Sequence, residues 1–462
     1  MTDPRPGSAG LDLHLDWSGR PDSSGLAEAL RTAIRDGRLA AGTRVPSTRA
    51  LARDLGVARG TVTRAYTQLT AEGFLLSRQG APTTVAERLR TGESSAPPAR
   101  PAPHPPRWDF RPGRPDLSSF PRKDWLSAHR RIVRNMPAGD LDYGDPQGPL
   151  ELREVLADYL RRSRAVDTAP DRLIVCNGYS EALSLLSRAL LAQGTGSVDF
   201  EDPSLPQFRD IAASAGMRVR GVPVDDQGIE VQRLRSPVTV VTPAHQYPLG
   251  VTMRAQRRSA LIRAARSAGG LIVEDDYDGE FRFDRRPVGS LQGMAPDVVI
   301  YAGTASKSLA PALRIAWLAL PARLVEPVRA MKLPGGHGFD QLALAEMLRS
   351  GAYDQHVRRS RNTYRSRREQ LLRALDGLRA RHRLYPAGIS AGLHLTLRLD
   401  PDGPGEREIL TRARARAVEL EALGPHWVNA QSRPPGVVIG YAAPAEHAFR
   451  PGLAALLDAL DP

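Results

Sequence analysis

The sequence predicts an α/β protein built as two bodies and a tether, and three observations carry that prediction. Segment 94–106 holds six prolines in thirteen residues, so it can form neither helix nor central strand and reads as an extended, semi-rigid linker. Before it, a small unit over about 21–88 shows three helical patterns and a short hairpin. After it, a long unit over 109–462 alternates short, continuously apolar strands with helical runs. Such strands belong to a sheet covered on both faces, mostly parallel.

In the small unit, Leu26, Leu30, Ala33 and Ile34 recur at helical spacing, and Gly37 and Gly42 end that helix. Ser47 can cap a second helix whose apolar face is Leu51 and Leu55, and Gly56 makes a tight turn. A third helix from about Ala58 buries Val62, Ala65, Tyr66 and Leu69, with Arg59, Thr61 and Arg64 assigned to its outer face. Phe74–Ser77 and Thr83–Val85 flank Gln79-Gly80-Ala81-Pro82 as a hairpin. Two short helices joined by a glycine turn, followed by a hairpin, form a winged helix-turn-helix. Residues 26–90 carry eleven arginines and five acids, a net charge of +6 within a chain total of +13. That concentration of charge is the footprint of a phosphate-binding surface, and DNA is the expected partner. The bland alternative is a three-helix bundle with a solvated basic face.

In the long unit the strand-like runs are Leu173–Cys176, Ser197–Phe200, Val238–Val241, Leu271–Val273 and Val298–Tyr301, with an amphipathic run at 180–191 after the first. In such sheets ligands bind beyond the carboxyl ends of strands. The polar clusters stand there: Asn177-Gly178-Tyr179-Ser180, Glu201-Asp202-Pro203, His245-Gln246-Tyr247, Glu274-Asp275-Asp276-Tyr277 and Thr304-Ala305-Ser306-Lys307.

Lys307 is one of only three lysines, against sixty-one arginines. A primary amine can deprotonate and condense with an aldehyde to form a Schiff base, and a guanidinium cannot. Alone, the segment fits a surface lysine in a Ser/Ala loop equally well. The surrounding clusters supply what pyridoxal phosphate requires. Asp275 can keep a pyridine nitrogen protonated, and Tyr277 can meet the ring hydroxyl. Gly178-Tyr179-Ser180 opens a helix, and Thr304, Ser306 and Arg314 flank the lysine, as a phosphate needs. The single cysteine, Cys176, excludes a disulfide framework and a cysteine-rich metal site, and no metal is expected. No apolar run could span a bilayer and no signal peptide opens the chain, so a cytoplasmic protein is expected.

Two resemblances follow from longer strings. Leu39–Arg49, Leu51-Ala52, Leu55-Gly56-Val57, Ala58–Val62, Ala65-Tyr66, Leu69 and Glu72-Gly73-Phe74 resemble the winged helix of the GntR family of bacterial regulators. The resemblance implies Arg49, Arg59, Thr61 and Arg64 as DNA contacts. The wing departs from it, with Gly80-Ala81-Pro82-Thr83 where Gly-Ser-Gly-Thr is usual. Residues 109–442 resemble fold-type I aminotransferases, and specifically the aminotransferase-like half of MocR-type regulators. The strings are Asp109–Gly113, Tyr143–Gly148, Thr242–Met253, Ile272–Phe281, Gly303–Lys307, Leu313-Arg314 and Ala391–His394. This implies a large sheet domain with a smaller α/β subdomain and a homodimer. It implies Lys307 as the Schiff-base lysine, Asp275 at the pyridine nitrogen and Tyr277 at the ring hydroxyl. Tyr179, Ser180, Thr304, Ser306 and Arg314 would surround the phosphate, with Tyr143 reaching the site of a second subunit.

Some positions depart from the aminotransferases. Leu205, in Pro203-Ser204-Leu205-Pro206, stands where an aromatic ring would stack, a term of roughly 0.5–1.5 kcal/mol. Tyr247-Pro248-Leu249-Gly250 replaces Asn-Pro-x-Gly. Arg433 is the nearest candidate for a substrate-carboxylate arginine. The expected function is a regulator that binds an operator of two half-sites as a dimer and senses pyridoxal phosphate or a small amino compound at Lys307, with weak or absent transaminase activity. A working aminotransferase with a DNA-binding head is the alternative. A body that has lost the cofactor is the third reading.

Overall fold

The computed structural model describes residues 22–78, 81–87, 106–283, 288–333, 338–382, 384–429 and 434–461. The chain divides into two compact units, one before and one after the proline-rich stretch. Most of that stretch, the hairpin tip at Gly80 and the candidate Arg433 lie outside the described residues.

The first unit is a winged helix-turn-helix. Helix α1 (Ser23–Arg35) starts at Asp22, whose carboxylate accepts from Gly25 N at 2.8 Å. Helix α2 (Thr48–Asp54) is capped by Ser47, whose hydroxyl accepts from Ala50 N at 3.2 Å. Gly56, at φ +66°, makes the turn to α3 (Arg59–Ala71). Strands β1 (Leu75–Leu76) and β2 (Thr84–Val85) pair antiparallel as the hairpin. Leu26, Leu30, Leu51, Val62, Leu69 and Val85 close one small core. The bidentate contact of Arg31 on Glu72, at 2.8 to 2.9 Å, ties α1 to the end of α3.

One assignment on α3 is corrected. Thr61 is buried, 8% exposed, and does not lie on the outer face. It precedes Val62 and stands one turn before Ala65, so helical phase places it beside the buried stripe Val62, Ala65, Tyr66 and Leu69. Arg59, Thr63 and Arg64 are exposed, as is Arg49 on α2.

The second unit is built on an eight-stranded sheet. In chain order the strands are β3 (Leu173–Cys176), β4 (Ser197–Asp202), β5 (Arg218–Asp225), β6 (Gly228–Ile229), β7 (Val238–Val241), β8 (Leu271–Asp276), β9 (Val299–Thr304) and β10 (Ala316–Ala319). Their order across the sheet is β3-β10-β9-β8-β7-β4-β5-β6. The pairings from β9 to β5 are parallel, whereas β10 runs antiparallel to both its neighbours and β6 to β5. The sheet is therefore mixed at its edges and parallel only in its centre. Because β10 reverses twice, β3 points the same way as β9. The carboxyl ends of β3, β9, β8, β7 and β4 thus share one edge.

Both faces are covered, which is why the strands read as continuously apolar. Along β3 the residues alternate: Ile174 and Cys176 pack with Leu183, Leu186 and Leu190 of helix α4 (Tyr179–Ala192), while Leu173 and Val175 pack with Leu156, Leu160 and Leu344 on the other face. A four-stranded antiparallel sheet forms the smaller subdomain: β11 (Leu384–Ala387), β12 (His394–Leu399), β13 (Glu421–Ala422) and β14 (Gly436–Gly440), in the order β11-β12-β14-β13. Trp108–Asp109 pairs with Val418–Glu419 beside it.

Candidate functional site

Lys307 follows β9 directly. Its ammonium donates to the carbonyl of Gly113 at 2.7 Å. Burial pushes the Lys307 amine below its ordinary value, and the charges of Asp275 and Asp278 partly restore it. Burial also pushes the Asp275 carboxyl well up, with Lys307 opposing the shift. Both directions have one cause, the low polarity of the strand edge, and each group is the other's main source of relief.

The acidic string at the end of β8 divides its labour. Glu274 accepts from the amides of Leu291 and Gln292 at 2.8 and 2.9 Å. Asp276 forms a fully buried bidentate pair with Arg164, at 2.6 and 2.9 Å, and accepts from the Tyr301 hydroxyl at 2.8 Å. Asp275 alone is held by no ion pair and no backbone amide among the described residues.

The anion-receiving features gather around Gly178. Its φ of +83° is a backbone conformation that favours glycine, and it precedes α4 without a side-chain cap, so the first amides of that helix have no acceptor from a capping side chain. Arg314 donates to the carbonyl of Asn177 at 2.9 Å. A methyl group on Gly178 would stand 2.7 Å from the guanidinium carbon, so the cradle exists only with glycine there. Thr304 donates to the carbonyl of Ile315 at 3.1 Å, accepts from Ser306 N at 3.1 Å and lies 3.0 Å from the Ser306 hydroxyl. Ser180 is half-buried in the first turn of α4. Tyr179 is buried, its ring edge-on to Phe208 at 4.6 Å, and its hydroxyl has no hydrogen-bond partner. Burial, then the nearby charge of Asp275, pushes that phenol up. A buried phenol without a partner costs about 1–3 kcal/mol and marks a place where a polar ligand atom would be welcome.

Tyr143 is 80% exposed in the single chain. Tyr277 is buried, and its hydroxyl engages His245, whose Nδ1 meets Asp278 at 2.8 Å. His245 and Asp278 were visible only as members of polar strings, with no role attached. His245, Asp278 and His394 offer donor atoms within 4.8 Å of one another, a set that could gather a divalent ion. The 2.8 Å contact is nonetheless a hydrogen-bond length, and a proton accounts for it. Glu201, at the end of β4, accepts from the amide and hydroxyl of Thr242 at 3.1 and 2.6 Å, and burial pushes it up to about 7. Among the described residues no helix is long and apolar enough to cross a membrane.

Fold and site together define a two-part protein, a helix-turn-helix head joined to an aminotransferase-like body. Two families match it: "Bacterial regulatory proteins, gntR family" over residues 23–85 and "Aminotransferase class I and II" over residues 114–415. The probable rhizopine catabolism regulatory protein MocR of Rhizobium meliloti is 34% identical over 461 residues, spanning 94% of this chain and 92% of its own. The HTH-type pyridoxine biosynthesis transcriptional regulator PdxR of Corynebacterium glutamicum is 32% identical over 443 residues, spanning 94% and 95%. Among solved structures, an archaeal alanine:glyoxylate aminotransferase superposes with a TM-score of 0.69 at 24% identity, over 76% of this chain and 89% of that one. LysN, the α-aminoadipate aminotransferase of Thermus thermophilus, gives 0.67 at 23% identity, over 76% and 92%. At these identities the structures establish the fold of the body. The chain belongs to the MocR-type transcriptional regulators of the GntR family.

Proposed function

We propose that this regulator binds DNA as a homodimer through its winged helices and holds pyridoxal phosphate in its aminotransferase-like body as a sensor. The observation that carries the reading is the burial of Lys307 and Asp275 at the carboxyl ends of the neighbouring strands β9 and β8, on the edge that also carries Gly178 at the end of β3. When bound, pyridoxal phosphate supplies an aldehyde that condenses reversibly with primary amines. Burial lowers the Lys307 amine, which favours the neutral form such chemistry uses. Asp275 offers the carboxylate for a pyridine nitrogen, and Tyr277 stands at the same strand end. The amides opening α4, with Ser180, Thr304, Ser306 and Arg314, offer the donors for a phosphate, and Tyr179 adds an unpartnered hydroxyl. The fit rests on these features of the chain itself: a positive-φ glycine against the Arg314 guanidinium, a buried phenol at Tyr179, and a buried amine and carboxyl at neighbouring strand ends.

The dimer reading draws on exposed apolar side chains between residues 126 and 150 of the body. Val133, Leu141 and Tyr143 are 63%, 67% and 80% exposed, and Leu126 and Leu150 add to them. Exposed apolar side chains in this number suit a surface that a second copy covers. Tyr143 among them would then reach the second copy's site. In the head, Arg49, Arg59 and Arg64 face solvent and suit the phosphate backbone, with α3 in the major groove. An amino compound that competes for the aldehyde would change the occupancy of Lys307. Differential contacts would then shift the dimer between DNA-binding arrangements. Incubation with pyridoxal phosphate, borohydride reduction and peptide mapping tests the site. The expected result is visible absorbance and one pyridoxyl group, on Lys307. Absence of absorbance would favour a body that has lost the cofactor.

A further inference from the structure

The hydroxyl of Tyr277 does not stand free at the end of β8. It lies 3.0 Å from the carbonyl oxygen of His245 and 3.1 Å from Nδ1 of the same residue. That Nδ1 lies 2.8 Å from Asp278 Oδ2. All three side chains are buried, His245 and Asp278 at 3% and 2% exposed. An ionised carboxylate can only accept, so the proton on the 2.8 Å contact belongs to Nδ1 and His245 is the Nδ1–H tautomer. Nδ1 then has no lone pair for the phenol, and Tyr277 donates to the carbonyl oxygen instead. One carboxylate thereby assigns every proton in the cluster.

The packing holds this arrangement. A methyl group on Gly392 would stand 2.2 Å from His245 Cε1 and 2.6 Å from Asp278 Oδ2. The His394 ring lies 5.0 Å from that of His245, with its Nε2 3.2 Å from the Pro248 carbonyl. The Tyr247 ring meets Tyr277 edge-on at 5.9 Å. The titratable groups around the cluster include His394, Tyr247, Asp275, Lys307, Tyr441 and Glu280. Burial, and after it the charge of Asp278, holds the Tyr277 phenol well above its ordinary value.

We propose that Asp278 and His245 are positioning residues for Tyr277: Asp278 sets the tautomer of His245, and His245 sets where the phenol's oxygen and proton point within the site. This deepens the pyridoxal reading and rests on it for the first of two tests. In the full-length chain loaded with pyridoxal phosphate, the readout is the pH midpoint of the cofactor's absorbance. Tyr277→Phe should move it by about one pH unit, the worth of one buried hydrogen bond. His245→Leu and Asp278→Leu should move it in the same direction. The double variant His245→Leu/Tyr277→Phe should match Tyr277→Phe alone, because His245 acts through the phenol. Asp278→Asn, whose amide can donate as well as accept, no longer fixes the Nδ1 proton and should move the midpoint in the same direction. Unmoved midpoints in the two leucine variants, or additive shifts in the double variant, would overturn the proposal.

The second test needs no cofactor. In ¹⁵N-histidine NMR of the cofactor-free chain, one Nδ1-protonated histidine should be lost in His245→Leu, and in Asp278→Asn its proton should no longer be confined to Nδ1. An Nε2-protonated His245 would overturn the pair even where the leucine variants fail to fold. A wild-type chain that never gains absorbance would refute the pyridoxal reading and leave this second test standing.

Discussion

Gly178→Ala separates a built anion cradle from an incidental glycine turn. Two costs follow from the structure. At φ +83° and ψ 167° the backbone lies in a region that only glycine occupies readily, so alanine there costs roughly 1–3 kcal/mol. The new methyl would stand 2.7 Å from the Arg314 guanidinium carbon, so the arginine must move. Its 2.9 Å bond to the Asn177 carbonyl is then broken, a charge-assisted contact of about 1.5–3 kcal/mol. The side chain can recover part of that elsewhere, so a total of about 2–4 kcal/mol is expected. Because Arg314 bonds the carbonyl of Asn177 just before this helix start, much of the loss should fall on ligand binding. At about 1.4 kcal/mol per tenfold, pyridoxal phosphate should bind roughly 10–100-fold more weakly. The assay is a titration of the purified chain followed by absorbance, alongside a thermal melt. Arg314→Ala should weaken binding similarly, and the double variant should lose little more, since both changes act on one guanidinium. Wild-type affinity in Gly178→Ala, or full additivity with Arg314→Ala, would refute the cradle.

Other predictions concern stability and DNA. Arg164→Met leaves Asp276 buried and unpaired, and should destabilise the body by about 3–5 kcal/mol in denaturant melts. Glu201 is protonated up to about 7 in the fold and only to about 4.3 when unfolded, so its ionisation penalises folding. The penalty is absent below about pH 4, grows between the two values and is complete above about pH 7. Glu201→Gln should therefore gain up to about 3 kcal/mol over wild type at about pH 8, and the gain should vanish near pH 4. An unchanged stability difference across that range would sink the assignment. Arg64→Ala should weaken DNA binding across sequences and lower the salt slope by about one, with the cofactor absorbance unchanged. Thr61→Val, a buried change, should alter DNA affinity far less than Arg64→Ala.

The head was readable almost residue by residue, because its signals are local. Ser47 caps α2, Gly56 turns the chain and Leu75 pairs with Val85 as the turn chemistry requires. Thr61 was misplaced because residue type was read in place of helical phase. In the body β3, β4, β7, β8 and β9 were clear, whereas β5 and β10 were not: Arg218–Asp225 is interrupted by arginines, and Ala316-Trp317-Leu318-Ala319 is four residues long and carries no signal of its direction. Asp275 could be singled out by its position past a buried strand. That Asp276 and Glu274 are spent on Arg164 and on two amides depends on segments far off in the chain. The His245–Asp278 contact spans 33 residues and follows from the parallel register that sets Val241 opposite Glu274. No sequence spacing announces such a contact. Arg314 was a flanking arginine in the sequence, and only the left-handed backbone at φ +52° and the bare Gly178 show where it reaches.

The central claim is that chemistry at Lys307 governs DNA binding by the winged helices. The measurement is the affinity of the full-length chain for its own upstream DNA, with and without pyridoxal phosphate and a panel of small amines, for wild type and Lys307→Ala. Affinity or half-site spacing should change with cofactor in wild type, an amine should modulate the change, and Lys307→Ala should bind DNA but no longer respond. A Lys307→Ala chain that responds like wild type would contradict it.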